Sequence, residues 1–179
     1  LRPVEENQLF GNGSAIILEN PMRADMTALR TSLIPSLLEV VEYNARRGVD
    51  NFRFFEIDRV FQLINDEPVE TWSVAFVIGG HVDRESWSHH GEAVTFFHAK
   101  GIFENALEQA GVKNGEFRPP KNQHSWIENG EAAEIFVNGN SAGLLGYVDP
   151  KLLAKSKVRT KVFAGELNLQ LCVDDYAAI

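Results

Sequence analysis

Residues 20–64 read NPMRADMTALRTSLIPSLLEVVEYNARRGVDNFRFFEIDRVFQLI, and this stretch decides how the chain folds. Apolar residues recur in its first half at helical spacing, at Leu29, Leu33, Leu37 and Val40. Such spacing gives one broad apolar face that must be buried. Pro35 suits a first helical turn, and Arg46 and Arg47 place positive charge where the last carbonyls of a helix are unpaired. We therefore predict a helix over residues 35–47.

From Asn51 the sequence period changes to two, which predicts a β-strand. One face of this strand is apolar and carries Phe55, Ile57, Phe61 and Leu63. The other face is mixed and carries Phe54, Glu56, Asp58, Val60, Gln62 and Ile64. Antiparallel sheets commonly leave one face wet, so the pattern favours a mixed face that meets water, a ligand or a partner.

Further segments extend the pattern in a fixed order along the chain. Residues 18–44 and 53–61 are followed by FFHAKGIFENAL at 96–107, AGLLGYVDPKLL at 142–153 and VFAGELNL at 162–169. Together they resemble the core module of the beta subunit of bacterial phenylalanyl-tRNA synthetase. The resemblance implies an α+β fold like that of the class II aminoacyl-tRNA synthetases, with an antiparallel sheet flanked by helices. It also implies that residues 1–179 are a single core domain, cut from a longer beta subunit.

The sequence departs from the class II pattern where ATP would bind. Class II synthetases contact ATP through one Arg in their second motif and one in their third, because a guanidinium group binds phosphate in bidentate fashion. Gln62 stands at the first of these positions. The third motif keeps Gly165 and Glu166 but has no Arg after them. We therefore expect no catalytic residue in this chain, and the candidates for lining a degenerate pocket are Glu56, Asp58 and Gln62.

The resemblance implies a partner as well as a fold. The alpha subunit would use ATP and magnesium to activate phenylalanine and charge its tRNA, in a cytoplasmic heterotetramer. This chain would hold no cofactor of its own and would pack against the alpha subunit. Two other functions stay open on the sequence alone: an ATP-binding ligase domain whose site is degenerate but active, and a free-standing small-molecule-binding domain.

Composition limits the other possibilities. The chain has 179 residues, of which 44% are hydrophobic and 23% charged, as in soluble globular domains. Its net charge of -8 disfavours an extensive nucleic-acid interface, so tRNA contacts are expected elsewhere in the complex. The single cysteine, Cys172, excludes an intrachain disulfide and fits a reducing compartment. No stretch reaches the ~20 apolar residues that a membrane span needs.

Two polar features invite other functions, and we expect both to be structural. His81, His89 and His90 lie near Asp83 and Glu92, but their spacing suits a metal ion poorly and favours a solvated loop without a metal. Asp25 or Thr27 could cap a short helix here, and Arg30 lies beside it, where a single cation could bind phosphate. Salt bridging is the commoner use of such an arginine.

The remaining elements follow from local signals. Residues 1–13 form a lead-in with weak periodicity, and residues 15–18 suggest a short strand. A turn at 65–68 predicts a hairpin, and a helix runs from an N-cap at Thr95 to a stop at Gly111. Asn138-Gly139 predicts a second hairpin, and the last strand lies in KVFAGELNLQL.

Overall fold

The computed structural model describes residues 1–11, 13–21, 23–83, 91–112 and 114–173. Within these ranges the helices and strands follow one another as α1 (Val4–Phe10), α2 (Ile34–Ala45), β1 (Phe52–Ile64), β2 (Glu67–Gly79), α3 (Phe96–Gln109), β3 (Gly115–Arg118), β4 (Ile127–Val137), β5 (Asn140–Val148), β6 (Val162–Asn168) and α4 (Gln170–Val173). None of the helices in the described part is long and apolar enough to cross a membrane.

The strands form one six-stranded antiparallel sheet in the order β1-β2-β6-β5-β4-β3. Both predicted hairpins are confirmed. Asn65 and Asp66 turn the β1–β2 hairpin with positive φ, and Asn138 and Gly139 do the same between β4 and β5. Because positive φ suits Asn, Asp and Gly, these residues fix the register of the long strands. The α+β class with an antiparallel sheet is therefore confirmed.

Two hydrophobic cores cover opposite faces of the sheet. On the first, which we call the α2 face, Leu33, Leu37 and Val41 lie in one core with Val60 and Val77. On the second, which we call the α3 face, the fully buried core includes Phe103, Leu145 and Phe163. Both predicted helices are confirmed, with α2 ending two residues before Arg47.

The expectation that the mixed face of β1 is the one left open to water was wrong. The mixed face is the covered one, since Phe52 and Val60 are buried and Glu56 and Asp58 are only partly exposed. On the apolar face, Phe55 is 72% exposed and Ile57 is 52% exposed. Alternation in a single strand does not reveal which face a helix covers: α2 packs on β1, whereas α3 packs on β5 and β6.

The start of the chain also differs from prediction. Residues 4–10 form α1, and the short helix expected near Thr27 is absent, because Ala28 instead makes isolated bridges with Arg2 and Ile17. Asn7, which is buried, explains the difference. Its side chain donates to Leu29 O at 3.0 Å and accepts from Thr31 N at 3.0 Å, so it satisfies extended backbone at 29–31. The strand expected at 15–18 is likewise reduced to isolated bridges.

Candidate functional site

A polar cavity of about 340 Å³ opens on the α2 face of the sheet. Gln62, Ser73, Glu166 and other residues of strands β1, β2, β5 and β6 line it, together with two aromatic side chains, Phe10 and Trp126. The Phe10 and Trp126 rings stack with their centroids 5.9 Å apart. The cavity therefore combines a polar part with an aromatic part.

Strand periodicity brings the polar residues together. Residues 60 and 62 of β1, 71 and 73 of β2, and 166 and 168 of β6 alternate along their strands, so their side chains share one face. Close approach of β5 to β6 needs Gly143, where an added Cβ would lie 2.3 Å from the backbone oxygen of Glu166. The strands β1, β2, β6 and β5 thus form the cavity, and the described residues of the histidine loop do not line it.

Glu166 joins three parts of the fold. Its carboxylate accepts hydrogen bonds from Ser32 Oγ at 2.5 Å, Ser73 Oγ at 2.8 Å and the Leu33 backbone N at 3.2 Å. Leu33 is the N-cap of α2 and provides no side-chain cap, so Glu166 supplies the acceptor at the start of this helix. Burial raises the pKa of the Glu166 carboxyl above its usual range, although the two serines and the Leu33 amide oppose the shift. The sequence pointed to Glu166 only through its place in the third motif.

Arg30 binds two of the three predicted pocket residues. Its Nη1 lies 2.9 Å from Glu56 Oε1, its Nη2 lies 2.5 Å from Asp58 Oδ2, and its Nε donates to Arg59 O at 2.9 Å. The expectation that Arg30 is a salt-bridge partner is confirmed. Of the three candidates, Gln62 lines the cavity, whereas Glu56 and Asp58 are held by Arg30 outside its lining.

The Arg30 contact sets the ionisation of Asp58. The hydrogen bond from Arg30 is the largest cause that lowers the pKa of this carboxyl, followed by the bond from the Arg59 backbone N. We expect Arg30→Met to return the Asp58 pKa toward its ordinary value, measured by NMR titration of the side-chain carboxyl. An unchanged Asp58 pKa in this variant would contradict the assignment. Because the folded pKa is lowered, the stabilisation by Asp58 is present above its unfolded pKa and is lost as the pH falls through the folded pKa.

The described lining of the cavity contains no Lys, Arg or His side chain. Gln62 occupies the position at which the class II resemblance expects an arginine. Leu167, which follows Glu166, is 2% exposed and packs in the core of the α3 face. An arginine at position 167 would therefore face away from the cavity.

Among the described residues, no cluster of three or more His, Cys, Asp or Glu side chains could hold a metal ion. His81 lies in an isolated bridge with Ala93. His89 and His90 fall outside the described residues, so the expectation for that part of the loop stays a prediction.

An exposed apolar surface lies on the α3 face, beside the part that α3 covers. It consists of Phe55, Ile57 and Trp72, exposed by 72%, 52% and 44%, and we call it the β1–β2 shelf. Ile57 pairs with Val74 and Arg59 pairs with Trp72, so the shelf residues project from one side of the hairpin. Arg59 lies over the Trp72 ring, 5.1 Å from its centroid, and bridges to Glu70. Aromatic residues grouped on an otherwise polar surface are typical of protein interfaces.

The lone cysteine has a structural environment. Cys172 is 3% exposed, and burial raises the pKa of its thiol to about 11. Since the thiolate is the reactive form, we expect alkylation of the native chain at pH 7.5 to be at least ~100-fold slower than in denaturant. Timed labelling with iodoacetamide measures the ratio, and equal rates would show that the thiol is accessible.

These features define a class of protein: an α+β domain on one antiparallel sheet, with a polar cavity on one face and an apolar shelf on the other. The sequence identifies the family within that class. Residues 3–169 match the family described as the phenylalanyl tRNA synthetase beta chain CLM domain, and the chain belongs to this family.

Similar proteins support the assignment. The chain is 33% identical over 178 residues to the phenylalanine–tRNA ligase beta subunit of Lactococcus lactis, covering 98% of this chain and 22% of that protein. It is 32% identical over 158 residues to the beta subunit of Symbiobacterium thermophilum, covering 87% of this chain and 18% of that protein. The chain thus spans about a fifth of the length of these relatives.

Proposed function

We propose that this chain is the non-catalytic core module of a phenylalanyl-tRNA synthetase beta subunit and packs against the catalytic alpha subunit. The absence of any cationic side chain from the described cavity lining carries the non-catalytic part of this proposal. In the proposed cytoplasmic heterotetramer, the alpha subunit binds ATP and magnesium and attaches phenylalanine to its tRNA. The six-stranded antiparallel sheet is consistent with a class II synthetase-like fold.

The chemistry of phosphate binding supports the proposal that this cavity does not catalyse amino-acid activation. A nucleotide triphosphate carries several negative charges and needs arginine, lysine or a metal to offset them. Here the charged group that lines the described cavity is a carboxylate, Glu166. Gln62 can donate hydrogen bonds but cannot offset charge. The cavity therefore disfavours the triphosphate on which amino-acid activation depends.

The β1–β2 shelf supports the partner role. Phe55 and Trp72 are large rings held on a rigid hairpin, and such residues contribute most to binding when a partner removes them from water. Arg59 and Glu70 lie at its side as an ion pair and suit a polar rim. The net charge of -8 supports placing the tRNA contacts in other parts of the complex.

Association with the alpha subunit tests the proposal. Sedimentation velocity of the chain mixed with purified alpha subunit is expected to show a complex at micromolar concentrations. A chain that sediments as an unchanged monomer beside the alpha subunit would contradict the packing role and favour a free-standing binding domain.

A titration separates the module from the ligase alternative. Isothermal titration of the chain with ATP and magnesium is expected to give no saturable heat below millimolar concentrations. Tight saturable binding would favour a degenerate but active ligase site.

A further inference from the structure

The outer edge of β1 is only partly paired. β1 lies at one end of the strand order, so β2 bonds to its inner side. Ile64 and Glu67 flank a two-residue turn, which makes the even-numbered residues of β1 the ones that bond to β2. The N–H and C=O groups of the odd-numbered residues therefore point outward. The Phe61 N–H, which donates to Arg30 O at 2.9 Å, has this outward direction.

Other parts of the chain cover only the second half of this edge. The Leu63 N–H donates to Ser14 O at 2.9 Å, and Arg30 Nε donates to Arg59 O at 2.9 Å. Among the described residues, no hydrogen bond reaches the outward N–H and C=O groups of residues 53, 55 and 57. We call residues 53–57 the free edge. Open donors and acceptors along a strand are a template for another strand.

The side chains at the free edge favour an apolar strand as the occupant. Phe55 and Ile57 are exposed by 72% and 52%, and both belong to the β1–β2 shelf. Neither a proline nor a bulge interrupts β1, and these are two of the devices that block such an edge in natural sheets. An added strand would cover both apolar side chains, because residues directly opposite each other share one face of a sheet.

Arg53 adds a charge at the start of the free edge. Its side chain is exposed and donates to His81 O at 3.1 Å and to Val82 O at 2.7 Å. Both acceptors are neutral carbonyl groups, and the described residues contain no carboxylate that pairs with this arginine. Opposite charges across two strands stabilise their pairing. An acidic residue opposite Arg53 would therefore complement the free edge.

A second copy of this chain fits the free edge poorly. In the antiparallel register that sets Phe55 opposite Ile57, Glu56 faces the same residue of the other copy. That register also sets Arg53 opposite Arg59. Like charges directly opposite each other destabilise a pair of strands, and the net charge of -8 adds repulsion between copies.

We propose that the partner of the β1–β2 shelf adds an extended strand, antiparallel to β1, to the free edge. Its apolar residues would lie opposite Phe55 and Ile57, and an acidic residue would lie opposite Arg53. Each of the three would exchange two backbone hydrogen bonds with the residue that it faces. This mode of binding rests on the docking role proposed for the shelf and specifies how the alpha subunit is held.

Amide hydrogen exchange of the chain in complex with the alpha subunit tests the added strand. The amides of Arg53, Phe55 and Ile57 are expected to exchange at least about 10-fold more slowly in the complex. Those of Phe54 and Glu56, which already bond to β2, are expected to change little. A complex that forms without this protection would overturn the added strand and leave the docking role intact, whereas failure to form a complex would contradict both. Equal slowing in the concentrated chain alone would identify a second copy as the occupant and contradict the proposal.

Ile57→Pro tests the backbone contact. Proline removes the outward N–H of residue 57, which does not bond to β2, so the hairpin can accept it at this edge. Ile57→Ala is the matched control, because it removes the apolar side chain and keeps the N–H. We expect Ile57→Pro to weaken association with the alpha subunit at least about 10-fold more than Ile57→Ala. Thermal melts check that both variants fold, and hydrogen exchange of the wild type decides if Ile57→Pro does not. Equal losses in two folded variants would overturn the added strand.

Arg53→Glu tests the acidic residue expected in the partner strand. The substitution is expected to weaken association with the alpha subunit about 10-fold, because it sets like charges opposite each other. Arg118→Glu, at the exposed end of β3 on the far edge of the sheet, makes the same change of charge and is expected to bind like the wild type. Surface plasmon resonance against the alpha subunit measures both variants. Equal affinities of the two would show that no acidic residue faces Arg53 and would overturn that part of the proposal.

Discussion

Phe55→Glu combined with Trp72→Glu is expected to weaken association with the alpha subunit at least about 100-fold. Both side chains are exposed on the β1–β2 shelf, so the folded chain loses little packing when they are replaced. At an interface, however, two carboxylates would be buried without partners, which costs far more than the lost apolar contact. Sedimentation velocity or surface plasmon resonance against the alpha subunit measures the change.

A matched control separates the shelf from a general effect of charge. Val40 and Tyr43 are exposed by 40% and 56% on α2, on the opposite side of the sheet. Val40→Glu with Tyr43→Glu adds the same charge at another pair of exposed apolar residues. The control is expected to bind the alpha subunit like the wild type. If the two double variants lose affinity equally, the shelf is not the docking surface.

Glu166→Ala is expected to destabilise the chain by about 3 kcal/mol and to lower the melting temperature by roughly 10 °C. The substitution leaves the Ser32 hydroxyl and the backbone N–H of Leu33 without their acceptor, and it leaves the Ser73 hydroxyl with Leu167 O alone. It also removes the tertiary cap of α2, on which the core of that face depends. Chemical denaturation at pH 7 measures the loss, and a change below about 0.5 kcal/mol would show that the contacts are dispensable.

The pH dependence of Glu166→Gln tests the same group in another way. Burial raises the folded pKa of Glu166 above its unfolded value, so its stabilisation is complete below the unfolded pKa and is lost as the pH rises through the folded pKa. Gln keeps one acceptor and does not titrate. The free energy of unfolding of the wild type should therefore fall relative to that of Glu166→Gln as the pH rises from 4 to 8. A difference that is constant over this range would show that the Glu166 pKa is not raised.

Local signals in the sequence were enough to predict most of the sheet and both long helices. Asn138-Gly139 fixes a hairpin because both residues accept positive φ, and Thr95 with His98 forms the capping box at the start of α3. These features depend on neighbouring residues alone. The family could also be predicted, because several segments match it in order, and residues 3–169 bear this out.

The predictions that were wrong concern features that depend on contacts between residues far apart in the sequence. Which face of β1 is covered depends on where α2 and α3 pack, and no alternation within the strand encodes that choice. Asn7 holds residues 29–31 extended from over twenty positions away, which overrides the local preference for helix. Of the three candidate pocket residues, Gln62 lines the cavity, whereas Arg30 holds Glu56 and Asp58 outside it, and the sequence did not reveal these two partners of Arg30.

The central claim is that this chain binds a partner and does not activate an amino acid. Phenylalanine-dependent exchange of labelled pyrophosphate into ATP, measured on this chain alone and again with the alpha subunit present, tests it most directly. We expect no exchange above the buffer background from the chain alone and clear exchange once the alpha subunit is added. Phenylalanine-dependent exchange by the isolated chain, retained in a preparation shown to be free of alpha subunit, would contradict the account.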